Sequence, residues 1–215
     1  MEPIAVLAGT PVDTRMGVDV LSAAGFSGAP FPISPDPRQQ TAFQISSPAE
    51  KHRIALDILN KAQAEGCRKA FVYCNSLSAS VDFDALARET GMRIVTPLHV
   101  YRDLAPRYHA LAFIAANAQG LAGIERVLLD ANPGLDTLSA GALPVVLSIE
   151  EGLPPDELVT RHRLSELCDW FAACGMEALV LGCTHFPYFK EALARRTSLP
   201  LIDPAAEMLA LLCAP

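Results

Sequence analysis

Two segments of this chain, AFVYCNS at 70–76 and ALVLGCTH at 178–185, each run an apolar strand into a cysteine followed by small polar residues. Gly66 precedes Cys74 by eight residues and Gly175 precedes Cys183 by eight, so glycines and cysteines alike recur 109 residues apart. Self-similarity at a fixed offset marks an internal duplication. That restricts the chain to two similar halves, whose equivalent strand ends can converge on one cleft and present a thiol to each side of a bound molecule. Two opposed thiols point to proton transfer.

The rest of the chain alternates apolar runs with amphipathic segments. IAVLAG at 4–9 reads as a buried strand, and residues 10–46, rich in Gly, Pro and Ser, read as a long irregular crossing with a functional role. Ser47-Pro48-Ala49-Glu50 has the form of a capping box with proline in the first turn, and Ile54, Ile58 and Ala62 share a helical face. A helix through Glu65 follows, stopped by Gly66 before the strand AFVYC. In the second half, HALAFIAA at 109–116, ERVLLD at 125–130 and LPVVLSI at 143–149 read as strands. Asp156 begins a helix carrying Leu164, Leu167 and Phe171 on one face, Gly175 stops it, and ALVLGC is the next strand. PLID at 200–203 and Ala205 to Leu212 close the chain as strand and helix. Such alternation predicts an α/β fold of mainly parallel sheets covered by helices, with ligands beyond the carboxyl ends of the strands.

With 215 residues, 51% hydrophobic and 19% charged, the chain can bury one large core or two small ones. A net charge of −7 without runs of like charge gives no footprint for nucleic acid or an anionic membrane. No apolar stretch approaches the roughly 18 residues of a membrane span, and Met1 to Val6 lacks the basic start of a signal peptide. Cytoplasmic residence is the expectation. The six cysteines do not form the dense spacing of a secreted disulfide scaffold, and neither a paired Cys-x-x-Cys nor a His-x-x-x-His accompanies Cys183 and His185. They are expected to be thiols, with no metal and no glycine-rich phosphate cradle.

A thiol near a helix N-terminus or a cation is more readily ionised. Ser76 and Thr184 are expected to cap the helices that follow the two cysteines. His185, two residues beyond Cys183, can hold the thiol's proton or stabilise the thiolate, and its alternative is an exposed residue at a helix start. Glu150 and Glu151 end a strand at SIEEG, where a carboxylate could orient His185.

These residues carry a family resemblance. LGCTHFPYF at 181–189 resembles the second catalytic motif of the Asp/Glu racemase superfamily, glutamate racemases in particular, and CNS at 74–76 resembles that family's first Cys-Asn-Thr motif. IEEG at 149–152 is similar to the Val-Glu-x-Gly stretch upstream of the second motif, and LIDPAAE at 201–207 to the Ile-Asp segment after it. The resemblance implies two pseudo-symmetric lobes with the active site in the cleft between them: residues 1–98, completed by about 200–215, and residues 99–199. It implies a cofactor-independent racemase of glutamate, aspartate or a related acidic amino acid, in which Cys74 and Cys183 are the acid/base pair and His185 and Glu150 assist Cys183. Thr10, Asn75, Ser76 and Thr184 would bind the substrate's carboxylates and amino group, and Asn117 could donate to an oxygen in place of a threonine-bearing loop. The expected partner is a small acidic amino acid, with a homodimer as a possible assembly and neither nucleic acid nor membrane.

The departures are local. Where the family has Asp-Ser-Gly, with an Asp that assists the first cysteine, this chain has Ala8-Gly9-Thr10; Asp13 and Asp36 are the carboxylates that could replace it. SPDPRQQ at 34–40 stands where a Tyr-Gly element is expected, and Arg38 there could pair with a substrate carboxylate. Besides racemisation, two readings stay open: the same fold and cysteines with a changed reaction, isomerising or decarboxylating a small dicarboxylic acid, and a non-catalytic protein that binds a small acid.

Overall fold

The computed structural model describes residues 2–214, apart from the side chains of Pro37, Arg38 and Thr41. The role considered for Arg38 therefore lies outside the described residues. The chain divides into two units, residues 1–100 with 205–215, and residues 101–204.

The first unit runs β1 (Ile4–Ala8), α1 (Pro11–Ala23), β2 (Gly28–Pro32), α2 (Pro37–Ile45), α3 (Pro48–Ala64), β3 (Lys69–Val72), α4 (Asn75–Ser80), α5 (Phe83–Thr90) and β4 (Arg93–Val95). After α6 (Pro97–Leu104) the second runs β5 (Ala110–Ala115), α7 (Ala118–Ala131), β6 (Asp136–Gly141), α8 (Leu143–Glu150), α9 (Pro155–Arg161), α10 (Leu164–Ala173), β7 (Ala178–Leu181), α11 (Pro187–Ala194) and β8 (Leu201–Ile202). The closing helix α12 (Ala205–Cys213) belongs to the first unit. The PLID strand expected to complete the first lobe instead pairs with β7, so only α12 returns.

Each unit holds one four-stranded sheet, in the orders β2-β1-β3-β4 and β6-β5-β7-β8, and every pairing is parallel. The strand order reverses between β1 and β3, and again between β5 and β7. At such a switch point the two outgoing chains leave in opposite directions and open a crevice beyond the strand ends.

Both faces of the first sheet are covered, which is why β1 is apolar along its whole length rather than alternating. Ala5, Leu7, Ala70 and Val72 pack with Ala55, Leu59 and Ala62 of α3 and Leu86 of α5. Ile4, Val6, Phe71 and Tyr73 pack with Leu21 of α1 and Met208 and Leu212 of α12. Lys69 and Arg93 bind α12 at its end: Lys69 Nζ donates to the Leu212 carbonyl at 2.9 Å and Arg93 to those of Leu211 and Ala214. In the second sheet, Ala112, Ile114, Leu179 and Leu181 meet Val145 and Ile149 of α8, Phe171 of α10 and Phe189 of α11.

The glycines that mark the duplication end equivalent helices. Gly66 and Gly175 follow α3 and α10 with φ of 90° and 85°, a conformation that costs other residues about 1 kcal/mol or more. The N–H groups of Cys67 and Met176 then reach back to the carbonyls of Ala62 and Phe171. This is the Schellman closure that feeds β3 and β7.

Several sequence expectations are corrected. Residues 10–46 are not an irregular crossing but contain α1, β2 and α2. Apart from Leu21, the residues that α1 buries are small or polar, Asp13, Thr14 and Gly17, and a Cβ at Gly17 would stand 2.7 Å from Val6 Cγ1. The stripe of large apolar residues that marks a helix is interrupted there. ERVLLD lies in α7, whose buried residues Gly120, Ile124 and Leu128 recur every fourth position. LPVVLSI is α8, burying Val145, Val146 and Ile149 while Leu143 and Leu147 stay exposed. The strand between them, β6, is a polar edge strand without an apolar run. The helix from Asp156 is two, broken at Arg163 with φ of 51°.

Gly182, between β7 and Cys183, has no room for a side chain. A Cβ there would stand 2.7 Å from the Ile114 carbonyl oxygen and 2.4 Å from Ile124 Cδ1, and that carbonyl is held by accepting the Gly182 N–H at 2.8 Å. Gly182→Ala is expected to destabilise the protein by about 1–3 kcal/mol, read as a lower midpoint in thermal denaturation. An unchanged midpoint would show that this strand end yields.

Candidate active site

Cys74 and Cys183 each stand two residues past the end of the strand that pairs with the first strand of its unit. In the first unit, the Tyr73 N–H donates to the Leu7 carbonyl at 2.8 Å, so β3 is zipped to β1 up to the residue before Cys74. Cys74 then turns the chain into α4. It occupies the N-cap, where its carbonyl accepts from the Ser78 N–H at 3.0 Å and the Ser78 hydroxyl at 2.7 Å. Ser76 is therefore not the cap but lies inside the first turn, with Oγ 3.5 Å from Cys74 Sγ.

The surroundings of Cys74 combine opposing effects. Burial, with only 5% of the residue exposed, pushes the thiol up, and the nearby Asp13 carboxylate pushes it the same way. Hydrogen bonds from Ser76 and from the Leu77 and Gly9 N–H groups pull it down. Asp13 is buried in the first turn of α1, where its own N–H is capped at 3.5 Å by Thr10 Oγ1. Of the two carboxylates that could replace the family's Asp, Asp13 is the one whose charge acts on the thiol. Asp36 instead accepts at 2.9 Å from the Gln39 N–H at the start of α2. Thr10 is buried as a helix cap, and Asn75 is buried beside Cys74.

In the second unit, Gly182 continues the ladder to β5 and Cys183 opens a turn that closes when the Phe186 N–H donates to its carbonyl at 3.0 Å. The next helix begins only at Pro187, with Phe186 at its N-cap and no side-chain cap. The expected capping by Thr184 is thus corrected, and Thr184 is a half-buried residue of the turn. His185 is buried rather than exposed. Its Nδ1 lies 3.7 Å from Cys183 Sγ and its Nε2 3.4 Å from Glu150 Oε1. Glu150 ends the helix α8, not a strand, and is exposed. His185 thus lies within 4 Å of both the sulfur and the carboxylate. Asn117 caps α7, its Oδ1 accepting from the Gly120 N–H at 2.9 Å.

Sequence reasoning missed the glutamines of α2. Gln44 Nε2 donates to Ser76 Oγ at 3.1 Å, and the Gln40 carboxamide lies directly over Gly9, where a Cβ would come within 1.9 Å of its Nε2. The signal available was Asp36-Pro37, an acidic cap residue followed by proline, which marks a helix start inside the supposed loop. All six cysteines are free thiols. Among the described residues no group of three or more His, Cys, Asp or Glu could hold a metal ion, and no helix is long and apolar enough to cross a membrane.

The family model for Asp/Glu/Hydantoin racemase matches residues 32–212. The glutamate racemase of Thermus thermophilus is 30% identical over 159 residues, covering 71% of this chain and 57% of that protein. The chain spans between 31% and 57% of the length of the curated relatives it matches. In fold, it is similar to the glutamate racemase from Francisella tularensis in complex with D-glutamate, with a TM-score of 0.73 at 18% identity over 97% of this chain and 79% of the other. It is equally similar to an aspartate racemase homologue from Pyrococcus horikoshii, with a TM-score of 0.73 at 13% identity over all of both chains.

The carboxylate beside Cys74 gives a direct test of this electrostatic setting. Asp13→Asn removes a charge that raises the thiol's pKa, so the Cys74 thiolate is expected to form at lower pH than in the parent protein. Residue-resolved alkylation against pH reads this as faster labelling of Cys74 near neutrality. Slower labelling, with the fold intact, would mean that Asp13 promotes ionisation instead.

Proposed function

The chain belongs to the Asp/Glu/Hydantoin racemase family, and from that premise we propose that it racemises glutamate, aspartate or a related acidic amino acid without a cofactor, using Cys74 and Cys183 as its two acid/base groups. The observation that carries the reading is positional. In both units a cysteine follows, by two residues, the strand that lies against the unit's first strand at the switch point. The D-glutamate held by the Francisella tularensis relative supports an acidic amino acid as the substrate class.

In this reading the Cys74 thiolate takes the α-proton from one enantiomer. The electron pair left on the α-carbon spreads into the carboxylate, and the Cys183 thiol returns a proton to the opposite face. The reverse reaction exchanges the two roles. After each turnover the protons must be redistributed, and the two thiols have different means for this. Cys183 has the imidazole of His185 at hydrogen-bonding reach of its sulfur, with Glu150 behind it. Cys74 has the charge of Asp13 close by, with the Ser76 hydroxyl and two backbone N–H groups to stabilise its thiolate. Thr10, Asn75, Ser76, Asn117 and Thr184 supply hydrogen-bonding groups for the substrate's carboxylates and amino group, which the weak acidity of the α-carbon demands.

A second reading changes the reaction, to isomerisation or decarboxylation of a small dicarboxylic acid. Gly9-Thr10 favours it, because the residues that follow β1 directly carry no carboxylate and Asp13 sits one helical turn further on.

Chiral analysis of glutamate and aspartate incubated with the purified protein, in buffer containing EDTA and no added cofactor, separates these readings. Racemisation is expected in the parent, with a loss of roughly 10²–10⁴-fold in Cys74→Ala and in Cys183→Ala. Racemisation at parental rates in either variant would remove the two-thiol mechanism. Absence of racemisation, with turnover of a dicarboxylic acid, would establish the second reading.

A further inference from the structure

The Ser76 hydroxyl stands between two groups that both compete for it. Gln44 Nε2 is 3.1 Å from Ser76 Oγ, and Cys74 Sγ is 3.5 Å from the same oxygen. Gln44 comes from α2, a helix fixed over this strand end at three points. Phe43 is buried in the core formed with Cys74 and Leu77, the Lys51 ammonium donates to the Gln44 carbonyl at 3.3 Å, and the Gln40 carboxamide lies over Gly9 one turn earlier. Gly9 in turn is one of the two residues whose backbone N–H serves the Cys74 sulfur.

A hydroxyl carries one proton and two acceptor lone pairs. With a Gln44 N–H donating to Oγ, the serine proton is left for the sulfur, and Ser76 stabilises a thiolate. If the carboxamide turns over, its Oε1 accepts the serine proton, and Oγ can then accept from a protonated thiol. A sulfur that is base in one direction of a reaction and acid in the other needs a neighbour able to serve both states. A carboxamide, with a donor and an acceptor on one planar group, permits both, whereas a lysine or a carboxylate at position 44 would fix one. We propose that Gln44 is a positioning residue for Cys74, acting through the Ser76 hydroxyl. The inference rests on the assignment of Cys74 as one of the two acid/base thiols.

A double-mutant cycle tests it on the thiol itself. The parent, Gln44→Met, Ser76→Ala and the double variant are each titrated with pH by thiolate ultraviolet absorbance, taken as the difference from the same protein carrying Cys74→Ala. Asp13 on α1 is the charged group acting on this sulfur, and it is retained in all four proteins, so its contribution cancels in the cycle. Ser76→Ala is expected to shift the Cys74 titration to higher pH. Gln44→Met is expected to shift it in the same direction when Ser76 is present and to have no effect when Ser76 is absent. Gln44→Ala, which removes the side chain without adding an apolar head, is expected to give the same pattern should Gln44→Met fold poorly. An equal shift from the Gln44 change in both backgrounds, or none in either, would overturn the inference. Because the readout does not depend on turnover, a coupled shift in a protein that racemises neither amino acid would uphold Gln44 as a positioning residue and remove only the proposed reaction.

Discussion

The chemistry of this chain depends on the parallel pairing of two neighbouring strands in each unit, β1 with β3 and β5 with β7. In a parallel pair all carboxyl ends fall on one edge, so residues far apart in sequence leave the sheet side by side. Gly9 and Thr10 thereby come to lie near Cys74, although more than sixty residues intervene. The order of the strands adds a second consequence. Because β2 lies on one side of β1 and β3 on the other, the chain leaving β1 and the chain leaving β3 turn away from each other, and the backbone N–H groups at both ends are left to serve a ligand or a side chain. At Cys74 they serve the sulfur.

The two thiols are equivalent in topology and different in chemistry. Cys183 sits in a turn, with an imidazole two residues away and a carboxylate from a separate helix 3.4 Å from that imidazole. Cys74 is buried at a helix N-cap and is surrounded by hydrogen-bond donors and one carboxylate. Burial and Asp13 favour the thiol, whereas Ser76 and the two N–H groups favour the thiolate. A group that must pass between these states is served by such a balance better than by a strong bias either way.

The parts of the fold written in large apolar residues or in helix-stopping glycines were legible in the sequence. β1, β5 and β7 are unbroken apolar runs, and β3 is one after Lys69, because both sheet faces are covered, and Gly66 and Gly175 announce the ends of α3 and α10. What was illegible was carried by small or polar residues. α1 buries Asp13, Thr14 and Gly17 beside Leu21, and β6 is an edge strand in which Asp, Thr, Ser and Gly outnumber Leu138 and Ala140, so the apolar runs of α7 and α8 mimic strands on either side of it. The candidate site divides in the same way. Cys183 and His185 sit within one short motif and their proximity is local, so spacing could show it. The neighbourhood of Cys74 is assembled from three separate segments, and the parts played by Asp13 and Gln44 follow from strand and helix placement that spacing does not encode.

The most direct test of two-thiol racemisation follows the fate of the α-proton. Each enantiomer of glutamate and of aspartate is incubated with the parent protein in D₂O without cofactor, and the two enantiomers are separated at low conversion and analysed for α-deuterium. Two monoprotic bases acting from opposite faces predict solvent deuterium in the product enantiomer, while the remaining substrate keeps its original proton. Deuterium in recovered substrate and product alike, or an original proton carried over into the product, would mean that a single base serves both faces and would contradict the account.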